Sequence, residues 1–264
     1  MQFSQPKAIQ LEGKRFGTGN FPAICAPLVG RTRERLLAEV AIVAAKKPDI
    51  IEWRVDFFEA IADTAEVVDM AGHIRRQAGD AAVLFTRRSA REGGERIGLT
   101  EPQVVALYRA VCGSGHIDMI DFEMGSEPNQ LVEVRELSQV RGVKLVLSFH
   151  DFEGTPPLEV LNERFAEAES WEADIAKIAV MPRSMDDVLT LLTATLQSSR
   201  KLEIPVVSMS MGAYGAITRL CGWAFGSAMT FGVGESSSAP GQMPIEDLAA
   251  GLEIARRALG LPRD

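Results

Sequence analysis

A lysine lies in the middle of an apolar run, Asp174-Ile175-Ala176-Lys177-Ile178-Ala179-Val180-Met181-Pro182. An ammonium group is rarely buried without a partner or a function. Burial favours the neutral amine, and a neutral amine is a nucleophile that forms a Schiff base with a ketone or an aldehyde. The run alone also allows Lys177 to reach solvent from a strand end or to pair with a nearby carboxylate. The first prediction is therefore carbonyl chemistry at Lys177, with these alternatives open.

His150 is the histidine best suited to proton transfer, because imidazole titrates near neutral pH. It ends the apolar run that precedes the run of Lys177, so the two side chains can meet at neighbouring strand ends. Glu92, in a Glu-Gly-Gly segment, can hold the imidazole ring. The alternatives are a structural histidine and a solvated loop carboxylate. His73 and His116 lie in or beside helical segments, which favours packing or surface roles.

Charged residues also alternate at the end of another apolar run. Glu52, Arg54 and Asp56 are spaced by two and therefore lie on one face of a predicted strand. With Arg88 they can form a self-neutralising network in the core. Alternatively, Arg54 and Arg88 can donate hydrogen bonds to hydroxyl groups of a bound molecule, with Glu52 accepting one.

Two further features suit the binding of a small acid. Arg219, which we expect to begin a helix, suits bidentate recognition of a carboxylate, although such an arginine is more often on the surface. The segment Ser236–Gln242 carries hydroxyls and an amide among Ser, Gly and Pro, a composition typical of a closing lid and also of a plain solvent loop.

A repeated pattern of strands and helices must position these residues. Strands are predicted at Ala23–Gly30, Asp49–Asp56, Ala82–Arg88, Ile117–Met124, Lys144–Asp151, Ile175–Pro182, Pro205–Gly212 and Ala228–Gly234. Helices are predicted at Arg31–Lys47, Ala60–Ala78, Glu101–Gly113, Asn129–Val140, Pro157–Trp171, Ser184–Leu202, Tyr214–Phe225 and Pro244–Leu259. Eight such units indicate an α/β protein with a (β/α)8 TIM barrel, formed as one domain by residues 1–264.

An open doubly wound sheet is the alternative fold, but the sequence contains no G-x-G-x-x-G or Walker-type phosphate loop. The segment Lys7–Phe16 is predicted to form a short hairpin around Glu12-Gly13-Lys14 that closes the barrel floor. In a TIM barrel the active site lies at the carboxyl ends of the strands, where the polar residues described above fall.

Composition excludes several classes of function. The 264 residues carry 28 basic and 36 acidic side chains, and the net charge of −8 argues against nucleic acid as a partner. No apolar run is long enough to span a membrane, and the amino terminus has no secretory signal. The three cysteines are scattered and read as reduced, which predicts a cytoplasmic protein, and neither cysteines nor histidines show metal-ligand spacing.

Five runs together resemble type I 3-dehydroquinate dehydratase. They span most of the chain in order: Glu52-Trp53-Arg54-Val55-Asp56, Arg88-Ser89-Ala90-Arg91-Glu92-Gly93-Gly94, His150-Asp151-Phe152, Lys177-Ile178-Ala179-Val180-Met181-Pro182 and Ser238-Ala239-Pro240-Gly241-Gln242. The resemblance implies a (β/α)8 barrel, a cytoplasmic homodimer, and the dehydration of 3-dehydroquinate to 3-dehydroshikimate without a metal or other cofactor.

The resemblance also implies catalytic roles for three residues. Lys177 matches the lysine that forms a Schiff base with the C3 ketone. His150 matches the general acid/base, which removes a C2 proton and later protonates the departing C1 hydroxyl. Glu92 matches the carboxylate that orients this histidine.

Eight residues match positions that bind the substrate. Arg219 matches the residue that pairs with the substrate carboxylate. The residues that match ligands of the ring hydroxyls are Glu52, Arg54 and Arg88. Ser238 and Gln242 match lid residues, and Met209 and Met211 match residues in apolar contact with the ring. Arg87 departs from the family pattern, in which an apolar or aromatic residue is common. We expect Arg87 to point away from the site.

Two other functions remain open from the sequence. A class I aldolase is another Schiff-base barrel, and a catalytically silent barrel could bind a carboxylated polyol. The histidine, arginine and lid motifs favour the dehydratase. The sequence does not separate a role in aromatic amino acid biosynthesis from one in quinate breakdown.

Overall fold

Strands and helices alternate along the chain in the predicted order. A computed structural model describes residues 6–11, 14–16 and 21–260. The strands are β1 (Ile9–Leu11), β2 (Lys14–Phe16), β3 (Ala23–Leu28), β4 (Ile50–Arg54), β5 (Ala82–Thr86), β6 (Met119–Glu123), β7 (Lys144–Asp151), β8 (Ile175–Val180), β9 (Val206–Ser210) and β10 (Met229–Phe231). The helices are α1 (Arg33–Ala45), α2 (Thr64–Gln77), α3 (Glu101–Gly113), α4 (Pro128–Arg141), α5 (Leu158–Ser170), α6 (Met185–Lys201), α7 (Gly212–Cys221) and α8 (Ile245–Ala258).

Strands β3 to β10 form the wall of a parallel barrel. Each strand pairs with the next one along the chain from β3 to β9, and β10 pairs with β3. Val206 and Ser227 form a parallel bridge, and the amide of Ala228 donates to the carbonyl of Val206 at 2.8 Å, which joins β9 to the start of β10. The predicted (β/α)8 barrel is confirmed, and the open doubly wound sheet is excluded.

The predicted hairpin closes the floor of the barrel. Strands β1 and β2 pair antiparallel, with Ile9 opposite Phe16. Ile9 is only 2% exposed and packs in the apolar cluster that fills the amino-terminal end of the barrel, which includes Ile50 and Ile175. The turn at Glu12 and Gly13 lies outside the described residues.

Aspartates that precede alternate strands fix the strand register at the barrel floor. Each aspartate accepts a hydrogen bond from a backbone amide of the neighbouring strand, between 2.7 and 2.9 Å, in the pairs Asp49–Ile24, Asp118–Val83 and Asp174–Leu145. A slip of one residue would turn every side chain to the other face of its strand. These bonds therefore help to hold Lys177, two residues into β8, inside the barrel.

Strands β4 to β6 separate an aromatic outer layer from a charged interior. Trp53, Phe85, Tyr108 and Phe122 contact one another edge to face between strands and helices, with centroids 5.2–5.6 Å apart. Because side chains alternate along a strand, the neighbours of Trp53 point inward, and these neighbours are charged. Burying charge is costly unless it is paired, so the interior must contain an ion-pair network.

Helix α7 differs from its predicted bounds. It begins at Gly212, whose φ of +66° follows the extended Met211, and it ends at Cys221 before a 3-10 turn at Gly222–Phe225. Arg219 therefore lies in the last turn of the helix, and the expectation that it begins the helix is wrong. The cause is that the strand before α7 ends at Ser210, earlier than its apolar run suggests.

Two further features concern the cysteines and the lengths of the helices. All three cysteines are unpaired, and Cys25 and Cys112 are buried. Over residues 6–11, 14–16 and 21–260, no helix combines the length and hydropathy needed to cross a bilayer.

Candidate active site

A cavity opens at the carboxyl ends of the barrel strands. All eleven residues predicted from the sequence line it: Glu52, Arg54, Arg88, Glu92, His150, Lys177, Met209, Met211, Arg219, Ser238 and Gln242. The sequence did not single out five further lining residues: Gly93, Phe152, Ala179, Phe231 and Ala239.

Lys177 is both buried and paired with carboxylates. Its residue is 4% exposed, and Nζ donates to Oδ2 of Asp121 at 2.8 Å. Oε1 of Glu52 lies 3.6 Å from Nζ, and the ring centroid of Phe231 lies 4.6 Å away. Of the arrangements that the sequence left open, the structure shows a buried ammonium held by acidic partners.

Asp121 connects Lys177 to the rest of the network. Its Oδ1 accepts from Nη2 of Arg88 at 2.7 Å and from the hydroxyl of Ser148 at 2.6 Å. Burial by itself would raise the pKa of the Asp121 carboxyl, but Arg88 and Lys177 outweigh burial and hold the pKa well below its usual range. Asp121 therefore stays ionised inside the barrel.

Arg88 is committed to buried acidic partners. Besides Asp121, its guanidinium donates to Oε1 of Glu123 at 3.2 Å and to Ser148 at 2.9 Å. Burial opposes the charge of Arg88, but Asp121 and Glu123 outweigh burial, so its pKa is raised. The structure shows Arg88 in the predicted self-neutralising network, and Arg88 also lines the cavity.

Glu92 holds the imidazole of His150. The carboxylate oxygen Oε2 lies 2.9 Å from Nδ1 and also accepts from the backbone amide of His150 at 3.0 Å. An oxygen that already accepts one N–H is well placed to accept a second, which assigns a hydrogen to Nδ1 and leaves Nε2 as a base. Gly93 permits this arrangement, since its φ is +83° and a Cβ there would lie 2.3 Å from the ring of Phe152.

The electrostatics of this pair favour a neutral imidazole. Burial, together with Arg88 and Lys177, lowers the pKa of His150 well below its ordinary value. Burial, with repulsion from Glu123 and Asp121, raises the pKa of Glu92 to about 8. His150 can therefore accept a proton at neutral pH.

Arg54 and Glu52 are partly occupied by internal partners. Nε and Nη2 of Arg54 donate to the two carboxylate oxygens of Asp56 at 2.9 and 2.8 Å. Oε1 of Glu52 accepts from the hydroxyl of Thr86 at 2.9 Å. Both side chains are held in fixed orientations at the cavity wall.

Arg219 is a buried cation whose partners are neutral. Its guanidinium donates to the backbone carbonyls of Gly241 at 2.9 Å, Pro240 at 3.1 Å and Phe231 at 3.2 Å, and it lies 3.7 Å from the sulfur of Met209. Burial lowers the pKa of Arg219 to about 10, so it remains charged at neutral pH. In the part of the chain that the structure describes, no carboxylate pairs with it, which leaves its charge available to an acidic ligand.

The predicted lid segment lies over the cavity and is held by its own side chains. Oε1 of Gln242 accepts from the amide of Ser238 at 2.9 Å, and Nε2 donates to the Ser238 hydroxyl at 3.2 Å. Gly241 has a φ of +77°, and a Cβ there would lie 2.4 Å from the carbonyl of Gly212. Any other residue at Gly241 would separate the lid from the start of α7.

Comparison with known proteins identifies the family. The model of the type I 3-dehydroquinase family matches residues 24–258. The chain belongs to this family. A 3-dehydroquinate dehydratase of Albidiferax ferrireducens is 56% identical over 260 residues, which cover 98% of each chain. The resemblance predicted from the five motifs is confirmed.

Solved structures of the family share the fold over nearly the whole chain. The 3-dehydroquinate dehydratase of Geobacillus kaustophilus has a TM-score of 0.93 and 47% identity, and covers 97% of this chain and 99% of its own. The type I enzyme of Clostridium difficile, solved with covalently modified comenic acid, has a TM-score of 0.91 and 36% identity, with 96% and 99% covered.

The sequence analysis gave no role to the residues that complete the surroundings of the lysine. Asp121 and Glu123 were visible as two carboxylates spaced by two in an apolar strand, which is the signal that could have placed Asp121 at the site. Ser148 and Phe231 carry no such signal. Arg87 points away from the cavity, as expected: it pairs with Glu101, and its amide donates to the hydroxyl of Tyr108.

The raised pKa of Glu92 predicts a pH dependence of folding stability. An unfolded glutamate loses its proton near pH 4.5, whereas folded Glu92 keeps it up to about 8. The folded state therefore binds more protons between these values, and stability falls as pH rises towards 8. Glu92→Gln cannot titrate, so its denaturant unfolding free energy should fall less than that of the wild type between about pH 6.5 and pH 8.

An unfolded histidine still titrates at the lower end of this pH window, and because folded His150 is neutral, its contribution makes stability rise with pH there. Glu92→Gln keeps that contribution, so the difference from the wild type reports on Glu92. The exposed Glu136→Gln is the matched control and should keep the wild-type slope. An unchanged slope in Glu92→Gln would contradict the raised pKa.

Proposed function

We propose that the chain dehydrates 3-dehydroquinate to 3-dehydroshikimate through a Schiff base at Lys177. The observation that carries the proposal is a buried lysine and a neutral histidine that line one cavity together with an arginine without an acidic partner. Membership of the type I family supports the substrate and the reaction, a hydro-lyase reaction of the shikimate pathway. The covalent adduct in the Clostridium difficile relative supports covalent chemistry.

The first chemical step is imine formation. Nζ of Lys177, once it has given up a proton, attacks the C3 ketone, and the carbonyl oxygen leaves as water. The resulting iminium withdraws electrons from the adjacent C2–H bond, so a carbanion at C2 becomes an enamine. No metal ion or other cofactor is required for this activation.

The elimination needs a base and then an acid at the same place. Nε2 of His150 removes the C2 proton and then returns it to the C1 hydroxyl, which departs as water. Glu92 keeps the imidazole ring in position through both steps. Hydrolysis of the iminium then releases the conjugated enone and regenerates the amine.

Substrate binding uses charged, polar and apolar residues of the cavity. The substrate carboxylate pairs with Arg219, whose charge is otherwise met only by neutral partners. The ring hydroxyls are bound by Glu52, Arg54 and Arg88. Ser238 and Gln242 close the cavity over the substrate, and Met209 and Met211 make apolar contact with its ring.

The proposal favours the dehydratase over the two other functions considered. A class I aldolase would need the lysine without requiring this histidine, arginine and lid together. A silent binder would not need a neutral imidazole beside a lysine.

We further propose a cytoplasmic enzyme of one barrel domain that acts in aromatic amino acid biosynthesis, with quinate breakdown as the alternative pathway. Nucleic acid and membranes are not expected partners of a chain with a net charge of −8.

Reductive trapping tests the covalent step. We expect borohydride with 3-dehydroquinate to attach a reduced adduct to Lys177, detected by intact mass and peptide mapping. Lys177→Ala should lose the adduct and essentially all turnover, measured by the absorbance of the enone.

The matched control is Lys144→Ala, because Lys144 pairs with Asp174 at the barrel floor and does not line the cavity. It should trap as the wild type does. Folded wild-type protein that forms no adduct would return the function to a silent binder.

Arg219→Ala tests recognition of the carboxylate. Loss of a charge-assisted contact costs about 1.5–3 kcal/mol, so KM should rise about 10- to 100-fold, with a smaller change in kcat. Arg183→Ala removes an exposed arginine that does not line the cavity and should leave KM unchanged. An unchanged KM in Arg219→Ala would rule out this role.

We also propose that the chain forms a homodimer. Support comes from exposed apolar side chains on the adjacent helices α6 and α7, between 47% and 56% exposed: Met185, Leu189, Tyr214 and Ile217. Leu189→Asp should yield a monomer by light scattering, whereas Ile254→Asp, on α8, should leave the dimer intact. A monomeric wild type would contradict the proposal.

A further inference from the structure

We propose that Asp121 is a positioning residue of the reaction, which holds Lys177 as an ammonium on the inner side of the cavity until a ketone enters. The inference rests on the proposed function, because it assigns a task to Asp121 only if Lys177 is the nucleophile.

The strand register places Asp121 on the floor side of Lys177. In the paired strands, Lys177 is level with Ser148, whereas Asp121 is level with Val146, two residues closer to the barrel floor. His150 is level with Ala179, two residues closer to the cavity mouth. The lysine is therefore held from below by Asp121 and faces His150 above, on the side from which a substrate enters.

Asp121 is built to keep its charge and its position. It is fully buried, and its Oδ1 is fixed by Arg88 and by the hydroxyl of Ser148, so that Oδ2 is left for Nζ. The low pKa of this carboxyl means that Asp121 does not take the lysine proton at neutral pH. The proton must pass from Nζ to another base before the nitrogen lone pair attacks the ketone.

A purely structural role is the competing explanation, since Asp121 also neutralises Arg88. Glu123 provides the matched comparison. It accepts from the same Arg88 at 3.2 Å and from the amide of Ser89 at 2.6 Å, and no contact joins it to Lys177 in the described residues. Removing the charge of Glu123 therefore disturbs the network without removing the partner of the lysine.

The test is the pH profile of covalent trapping with 3-dehydroquinate and cyanoborohydride. In Asp121→Asn the lysine loses the carboxylate that favours its ammonium form, so the midpoint of the profile should move to lower pH. Because the amine is also less well placed, the maximal trapping rate should fall at least tenfold. Glu123→Gln should keep the wild-type midpoint, whatever its effect on the rate.

An unmoved midpoint in Asp121→Asn, or an equal shift in both variants, would overturn the proposal. Circular dichroism establishes that each variant is folded. If Asp121→Asn does not fold, Ser148→Ala replaces it, since it keeps both charges but removes one of the two donors that fix Oδ1 of Asp121. Its trapping rate should fall several-fold, and a wild-type rate would count against positioning. Failure of the wild type to trap at all would instead reject the proposed function.

Discussion

The contact between Lys177 and Asp121 is the constraint around which the barrel interior is arranged. An unpaired ammonium inside a protein costs several kcal/mol, and a carboxylate at 2.8 Å offsets much of that cost only if its own geometry is fixed. Asp121 is fixed by Arg88 and Ser148, and Arg88 in turn binds Glu123. Strands β6 to β8 and the segment that follows β5 are thereby joined through their side chains.

This network also explains the shifted pKa values of the neighbouring pair, Glu92 and His150. The same carboxylates that neutralise Arg88 and Lys177 repel the charge of Glu92, while the same cations oppose a proton on His150. Burial adds to both effects. A histidine that would be half protonated near pH 6.5 in water is neutral here, as a base must be.

The surroundings of Arg219, in the same cavity, have the reverse character. Arg219 is buried among backbone carbonyls, two of which belong to the lid segment that Ser238 and Gln242 hold together. A cavity that holds both a lysine among paired charges and an arginine without an acidic partner is complementary to a small ligand that carries a carbonyl group and a carboxylate. The family to which the chain belongs takes its name from such a molecule.

The sequence by itself determined the eight strand–helix units, the faces of the strands and the family, because periodicity and motifs are local properties of the chain. It therefore placed His150 and Lys177 on adjacent strands with their side chains on the same face. Only the tertiary structure decided which charges meet. Asp121 reaches Lys177 past the intervening strand β7, Arg88 binds acidic side chains from another strand, and Arg219 lies at the end of its helix. Such partners depend on barrel closure and strand register, which bring together residues more than thirty positions apart, and no local pattern encodes those distances.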